Sequence, residues 1–232
     1  MTETVQHPRA RFKAQTRAEI KDAALAQLAA GGVASIALQR IAKGLGLSGP
    51  ALYRYFDSKD ALLTELMRDA YTEFATAIEA AAVPAATPRA RLRALAVAYR
   101  GWAVTHPHRY LLIQGAPLPG YDAPAESLAR LRAVLAHFLD VFETATPAVS
   151  LDALISQAED WLRAGGPMAD WVAAHCATPR LGVAPAGVLL TWSIMHGVVS
   201  LETAGQYTGL GLTGEMLLDT QITVLADTFG LR

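Results

Sequence analysis

Gln39-Arg-Ile-Ala-Lys-Gly-Leu-Gly-Leu-Ser-Gly-Pro-Ala-Leu-Tyr-Arg-Tyr-Phe-Asp-Ser-Lys59 is the stretch that decides the fold. Ile41, Ala42 and Leu45 fall on one apolar face of a short helix. Gly46 is free to take the positive φ of a sharp turn. Ser48 is a good N-cap for a second helix, and Pro50 is tolerated in its first turn, where a missing N–H has no intrahelical partner. Leu52 and Phe56 share one face of that helix, while Ala51, Tyr53, Arg54 and Tyr55 spread over the others. The small Ala42 allows two helices to cross closely. This is a helix-turn-helix, the arrangement that places a second helix in the major groove of DNA.

The surroundings agree. The 232-residue chain is 52% hydrophobic, which excludes global disorder. Its formal net charge of −1 is unevenly spread, since residues 1–68 hold ten Lys and Arg against six Asp and Glu, and the rest ten against fifteen. A basic N-terminal module on an acidic body suits a polyanion contacted at one end. The single cysteine, Cys176, makes an intrachain disulfide impossible and a reducing cytoplasm the expected compartment. Arg9, Arg11, Lys13 and Arg17 have no apolar core region after them, so the N-terminus does not read as a signal peptide. The uncharged run Leu181–Leu201 is long enough to span a membrane. It contains Pro185, Thr191, Ser193, His196 and Ser200 and stands alone, so burial in protein is the expectation and no membrane partner is assigned.

The chain reads as all-α. Residues 1–15 read as a polar arm, and Thr16 to Glu19 as a capping box. The helix after it carries Ile20, Ala23, Ala24 and Leu28 on one face and closes at Gly31-Gly32. From Ser58 a long helix runs to about Ala82. Val83–Pro88 reads as a linker and Gly115–Pro124 as a loop. Further helices are expected at about 88–105, 107–114, 125–144, 151–164, 168–176, 185–206 and 213–229. Two domains result: residues 1–60, the helix-turn-helix module, and residues 61–232, a larger helical domain.

The first quarter of the chain resembles the TetR-type transcriptional regulators closely. The residues that carry the likeness are Ile41-Ala42, Gly46-Leu47-Ser48, Leu52-Tyr53, Tyr55-Phe56 and Ser58-Lys59-Asp60-Ala61-Leu62. The family usually has Ser or Thr four residues before the Ile-Ala pair. Ala37 stands there in this chain, with Ser35 as the alternative cap. Further on, Trp192, His196 and Gly197 resemble the Trp-His-Gly signature of the WHG-type C-terminal domain, found in one subgroup of these regulators. The resemblance implies a homodimeric, ligand-responsive regulator, a repressor acting on a palindromic operator. It also implies a ligand cavity among the body's helices, and a ligand that tilts the Ser58–Ala82 helix to change the spacing of the recognition helices.

Residue chemistry assigns the DNA contacts. The Ser48-Gly49 N–H groups, the hydroxyls of Tyr53 and Tyr55, and Lys59 suit phosphates. Gly49, Pro50, Ala51 and Arg54, with Gln39 from the preceding helix, suit base edges, Arg54 pairing with guanine or acting as a further phosphate contact. For the last two helices, Val188, Trp192, Val199, Leu218, Ile222, Leu225 and Phe229 are expected to meet a second copy as a four-helix bundle. A helix apolar around most of its girth must be covered on more than one side. Gly197 is expected to permit a close backbone crossing. Tyr99, Trp102, Tyr110, Phe138, Trp161, Trp192 and His196 are candidates to line a cavity, with plain core packing as the competing role for each.

No pattern of cofactor or metal chemistry stands out. Gly209-Leu-Gly-Leu-Thr-Gly214 is formally Gly-x-Gly-x-x-Gly, but no strand precedes it, so it reads as an interhelical loop. His106, His108, His175 and Cys176 lack a zinc-ligand spacing. Asp219 and Asp227, or Glu159 and Asp160, have no nucleophile placed beside them. The sequence therefore reads as a non-enzyme. An architectural DNA binder without ligand control, or an all-α enzyme or small-molecule carrier, are the rival classes.

Overall fold

The computed structural model describes residues 8–82, 87–114, 125–176 and 180–232. The expected loop Gly115–Pro124, most of the 83–88 linker and the first seven residues of the expected arm lie outside them. Among the described residues all regular structure is helical. The chain forms two compact units, Met1–Ala70 with His108–Pro124, and Tyr71–Pro107 with Ala125–Arg232.

The first unit opens with α1 (Pro8–Gly31), which begins well before the expected start. Pro8 suits a first helical position, and Arg9–Gln15 is rich in good helix formers, so nothing stops the helix short of Thr16. Thr16 is accordingly no N-cap; it is buried within the helix. A 3-10 turn (Val33–Ser35) leads to α2 (Leu38–Gly44) and α3 (Gly49–Tyr53). Ser35 does not cap α2. Its hydroxyl donates back to the carbonyls of Gln27 and Gly32, while the Gln27 side-chain oxygen accepts from the Ala37 N–H at 2.8 Å. α2 therefore has no side-chain N-cap, and the N–H of its Ala37 is satisfied from α1, ten residues earlier. α2 ends as expected, with Gly46 at φ +67°. The Leu47 N–H returns to the Ala42 carbonyl and the Gly46 N–H to that of Lys43, which satisfies the orphan carbonyls of the last turn.

α4 (Lys59–Ala81) begins in the first unit and ends in the second. Ser58 caps it, accepting from the Ala61 N–H at 3.0 Å. Ile20, Ala24, Ile41, Leu52, Phe56, Leu62 and Leu66 are buried in the first unit, the apolar faces read from periodicity. α6 (Pro107–Gln114) also contributes to this unit from His108 onward.

The second unit is built around α10 (Val183–Thr203), which packs against α5 (Pro88–Thr105), α7 (Ala125–Val141), α8 (Asp152–Ala164) and α11 (Gly214–Thr228). α9 (Pro167–His175) lies on α8. α10 alone is long and apolar enough to cross a membrane among the described residues, but its four neighbours account for that composition. Thr87 and Thr213 cap α5 and α11 through their hydroxyls. After α7 the Thr146 and Ala148 N–H groups donate to the carbonyls of Phe229 and Thr228, pinning this segment to the end of α11.

The apolar residues of the last two helices serve this unit's own core. Val199, Leu218, Ile222, Leu225 and Phe229 are all buried within the single chain, as is most of Val188. α5 packs against both α10 and α11, and α7 against α10, so these side chains have neighbours within the chain itself. Gly197 is not a close crossing within the chain, since a Cβ there would meet open space. Within α10 it is Gly187 that is closely approached, where a Cβ would stand 2.5 Å from the Phe142 ring. What α10 leaves outside is a row four residues apart: Leu189, Ser193, Gly197 and Leu201.

Candidate nucleic-acid interface and ligand cavity

The recognition segment is held by its buried face and presented by the other. Leu52 and Phe56 are 1% and 2% exposed, while Ser48, Pro50, Tyr53 and Arg54 are exposed and Gly49, Ala51 and Tyr55 half-buried. Ser48 takes the expected cap conformation, its hydroxyl accepting from the Ala51 N–H at 3.3 Å. Gln39 is exposed at the start of α2.

Arg17 fixes this segment from behind. Its guanidinium meets both carboxylate oxygens of Glu65 on α4, donates to the Tyr55 carbonyl and lies 4.3 Å from the centroid of the Phe56 ring. Lys21 pairs with Asp69 one turn on. Lys59 donates to the Val33 carbonyl at 2.8 Å, so one of its three N–H groups holds the turn between α1 and α2.

Five other cations of the unit are set apart from these. Arg9, Lys13, Arg40, Lys43 and Arg54 make no ion pair or side-chain hydrogen bond with any described residue. Arg9 and Lys13, one turn apart on α1, share with Ala51, Arg54 and Tyr55 a cleft of about 290 Å³. Reading from the sequence, Arg9 and Lys13 belonged to an arm and were not assigned a contact. The helix that aligns them with Arg54 begins at Pro8, and the helix-forming composition of residues 9–15 was the available signal.

Around α10 the cavity candidates separate. Trp161 and Trp192 line a cavity of about 510 Å³, joined by Trp171, Met168 and aliphatic side chains of α7, α9 and α10. Tyr99, Trp102 and Phe138 are core residues, with Tyr99 edge-on to both Phe74 and Trp192. Tyr110 is buried in the first unit, and His196 is half-buried on α10 outside the lining. Trp171 is a lining residue that the sequence reading does not assign. It stacks on His175, whose Nε2 lies 2.8 Å from Asp140, and Arg132 sits over its ring. Cys176, next in the chain, is buried, and burial chiefly, with Glu143 and Asp140 behind it, pushes its thiol up to about 11.

A second groove, between α5 and α11, is of another kind. Arg93 pairs with Asp219 at 2.5 Å in its wall, and Arg100, also lining it, forms a bidentate pair with Glu202. Asp227 pairs with Arg89. Asp219, Asp227 and Asp160, three of the four carboxylates considered for acid–base work, are thus committed to arginines.

The comparisons with known proteins follow this division. Residues 20–66 match the family model described as bacterial regulatory proteins, tetR family, and residues 92–225 match the tetracyclin repressor-like C-terminal domain. The chain belongs to the TetR family. It is 33% identical over 226 residues to the HTH-type transcriptional regulator Rv1816 of Mycobacterium tuberculosis, covering 92% of this chain and 89% of that one. The same figures hold for the regulator Mb1846 of Mycobacterium bovis. The crystal structure of the regulatory protein SCO4313 is 38% identical, with a TM-score of 0.74 over 95% of this chain and all of that one. AibR, solved with isovaleryl coenzyme A and operator DNA, shares the fold at 18% identity, with a TM-score of 0.59 over 92% of this chain and 97% of that one. The matched N-terminal segment contains the helix-turn-helix, and α10 with its Trp192, His196 and Gly197 falls inside the matched C-terminal domain. Like its relatives, this TetR-family chain is a DNA-binding transcriptional regulator.

Proposed function

We propose that the protein is a cytoplasmic, ligand-responsive repressor that binds a palindromic operator as a homodimer. The observation that carries the DNA contacts is the sorting of charge in the first unit. Arg17, Lys21 and Lys59 are engaged internally, while Arg9, Lys13, Arg40, Lys43 and Arg54 have no partner among the described residues around an exposed recognition face. Unpaired arginines and lysines are what counterion release requires. Tyr53, Tyr55 and the spare N–H groups of Lys59 fix register on phosphates, aided by the Ser48-Gly49 backbone. Gln39, Gly49, Pro50, Ala51 and Arg54 read base edges.

Dimerisation uses the outward row of α10, not the residues that fill its inner faces. Leu189, Ser193, Gly197 and Leu201 form an i, i+4 ridge whose small middle residues admit a second helix closely. Met216 and Val224 of α11 add exposed apolar surface, at 56% and 57%. A two-fold axis places two recognition helices one helical turn of DNA apart, about 34–36 Å, or a multiple of that. The effector occupies the tryptophan-lined cavity. α4, which has residues in both units, carries its effect to the DNA-binding unit. AibR, solved with both a small molecule and operator DNA, supports one chain of this fold serving both ligands.

Selection of bound duplexes from a random pool tests the reading. A palindromic consensus at the stated spacing is expected. Recovery of unrelated sequences with equal affinity would make the protein an architectural binder instead.

A further inference from the structure

The cavity beside α10 carries more chemical information than its position. Its wall holds three indoles, from Trp161, Trp171 and Trp192, with aliphatic side chains and one thioether, and no ionisable residue. The cations carried by these helices and the segment before α10 are outside its lining. Arg163 pairs with Asp160, Arg180 pairs with Asp152, and Arg132, 5.8 Å from the centre of the Trp171 ring, donates to the Pro167 carbonyl while its buried Nε has no hydrogen-bond partner among the described residues. The helices that form the wall, α7 to α10, carry by sequence seven carboxylates and three arginines. Trp161, at 40% exposed, marks where the cavity opens to solvent.

An ion entering such a wall loses its hydration and gains no partner. An anion meets an acidic surround as well. The volume, about 510 Å³, falls within the range of small-molecule sites. Flat aromatic groups are the natural complement of three indole faces. We propose that the effector is an uncharged, largely hydrophobic aromatic molecule of two or more rings, and not a fatty carboxylate or a coenzyme A thioester. This assignment rests on the ligand-responsive reading above but concerns only the chemistry of the site. It sets this chain apart from AibR and from FadR of Bacillus subtilis, solved with isovaleryl and stearoyl coenzyme A respectively.

The test is calorimetric titration of the full chain with a matched series: 1-naphthalenemethanol, 1-naphthoate and 1-naphthylmethylammonium, with decanoyl coenzyme A as the fourth probe. The neutral alcohol is expected to bind at least tenfold more tightly than either ion or the thioester. Trp161→Arg, at an exposed position where folding is little affected, should invert the order and favour the naphthoate. Tighter binding of the naphthoate or the thioester to the unaltered chain overturns the proposal, as does the absence of binding by all four. An alcohol signal that vanishes as the protein is concentrated also overturns it, because a second copy then occupies the groove. Operator affinity is measured in the same samples. If the alcohol binds without changing it, the chemical assignment stands and the ligand-responsive reading fails.

Discussion

Replacing Arg17 with methionine removes the guanidinium but keeps most of the aliphatic stem, so the loss reports on polar contacts alone. The charge-assisted bond to the Tyr55 carbonyl contributes about 1.5–3 kcal/mol. The pair with Glu65 joins side chains 36% and 19% exposed, and after discounting for solvent it adds up to about 1 kcal/mol. The Phe56 ring contributes about 0.5–1 kcal/mol as a cation–π contact. These terms share one group and do not add fully, so a net loss of about 2–4 kcal/mol is expected. For a chain of this length that lowers the melting temperature by roughly 5–15 °C, followed by circular dichroism at 222 nm. Arg17→Lys keeps a donor for Tyr55 but not the fork that fits Glu65, and should fall between. Operator binding by Arg17→Met, measured below its melting temperature, should weaken without a change in the slope of log K against log salt, because this charge is already neutralised. A melting temperature unchanged within 1 °C, with a salt slope smaller by about 2 per dimer, would refute the reasoning and make Arg17 a phosphate contact.

Gln27→Ala should cost about 1 kcal/mol by stripping the Ala37 N–H of its acceptor, with Gln27→Glu restoring most of it in thermal melts. Arg54→Ala should relax preference at one base pair per half-site in competition binding; uniform weakening across sequences makes it a phosphate contact instead. Gly187→Ala should destabilise by about 1 kcal/mol net in urea titration. Overpacking against Phe142 costs about 1–3 kcal/mol and removing a helical glycine returns about 1. Phe142 cannot swing aside, since it is fully buried against Phe229 at 4.8 Å. Cys176, with its thiol raised to about 11, should react with iodoacetamide at pH 8 roughly two orders of magnitude more slowly folded than in urea. Equal rates would mean that it is open to solvent.

Where chemistry acts between near neighbours in the chain, the sequence was a sufficient guide. The turn at Gly46, the cap at Ser48 and the buried face of Leu52 and Phe56 all depend on residues within about five positions. So does the all-α character, because periodicity along one helix is local. The family followed from the same stretch, since a helix-turn-helix is specified by residues that are close together.

Other features needed the folded chain. Ala37 gave no sign that its N–H is capped from Gln27, and Arg17 looked like one more charge in a basic arm. Gly187 and Gly197 lie on the same helix, each followed by an aliphatic residue, yet only Gly187 faces a ring. The apolar residues of α10 and α11 looked free to meet a second copy because sequence counts apolar faces but does not say which neighbour covers them. Val199, Leu218, Ile222, Leu225 and Phe229 are buried within the chain, and the row from Leu189 to Leu201 is what α10 leaves exposed. Trp161, Trp171 and Trp192 were likewise separated from Tyr99 and Trp102 only by packing. Local order is written in the spacing of residues, whereas the partner of each face is set by how helices distant in the chain compete for the same apolar surface.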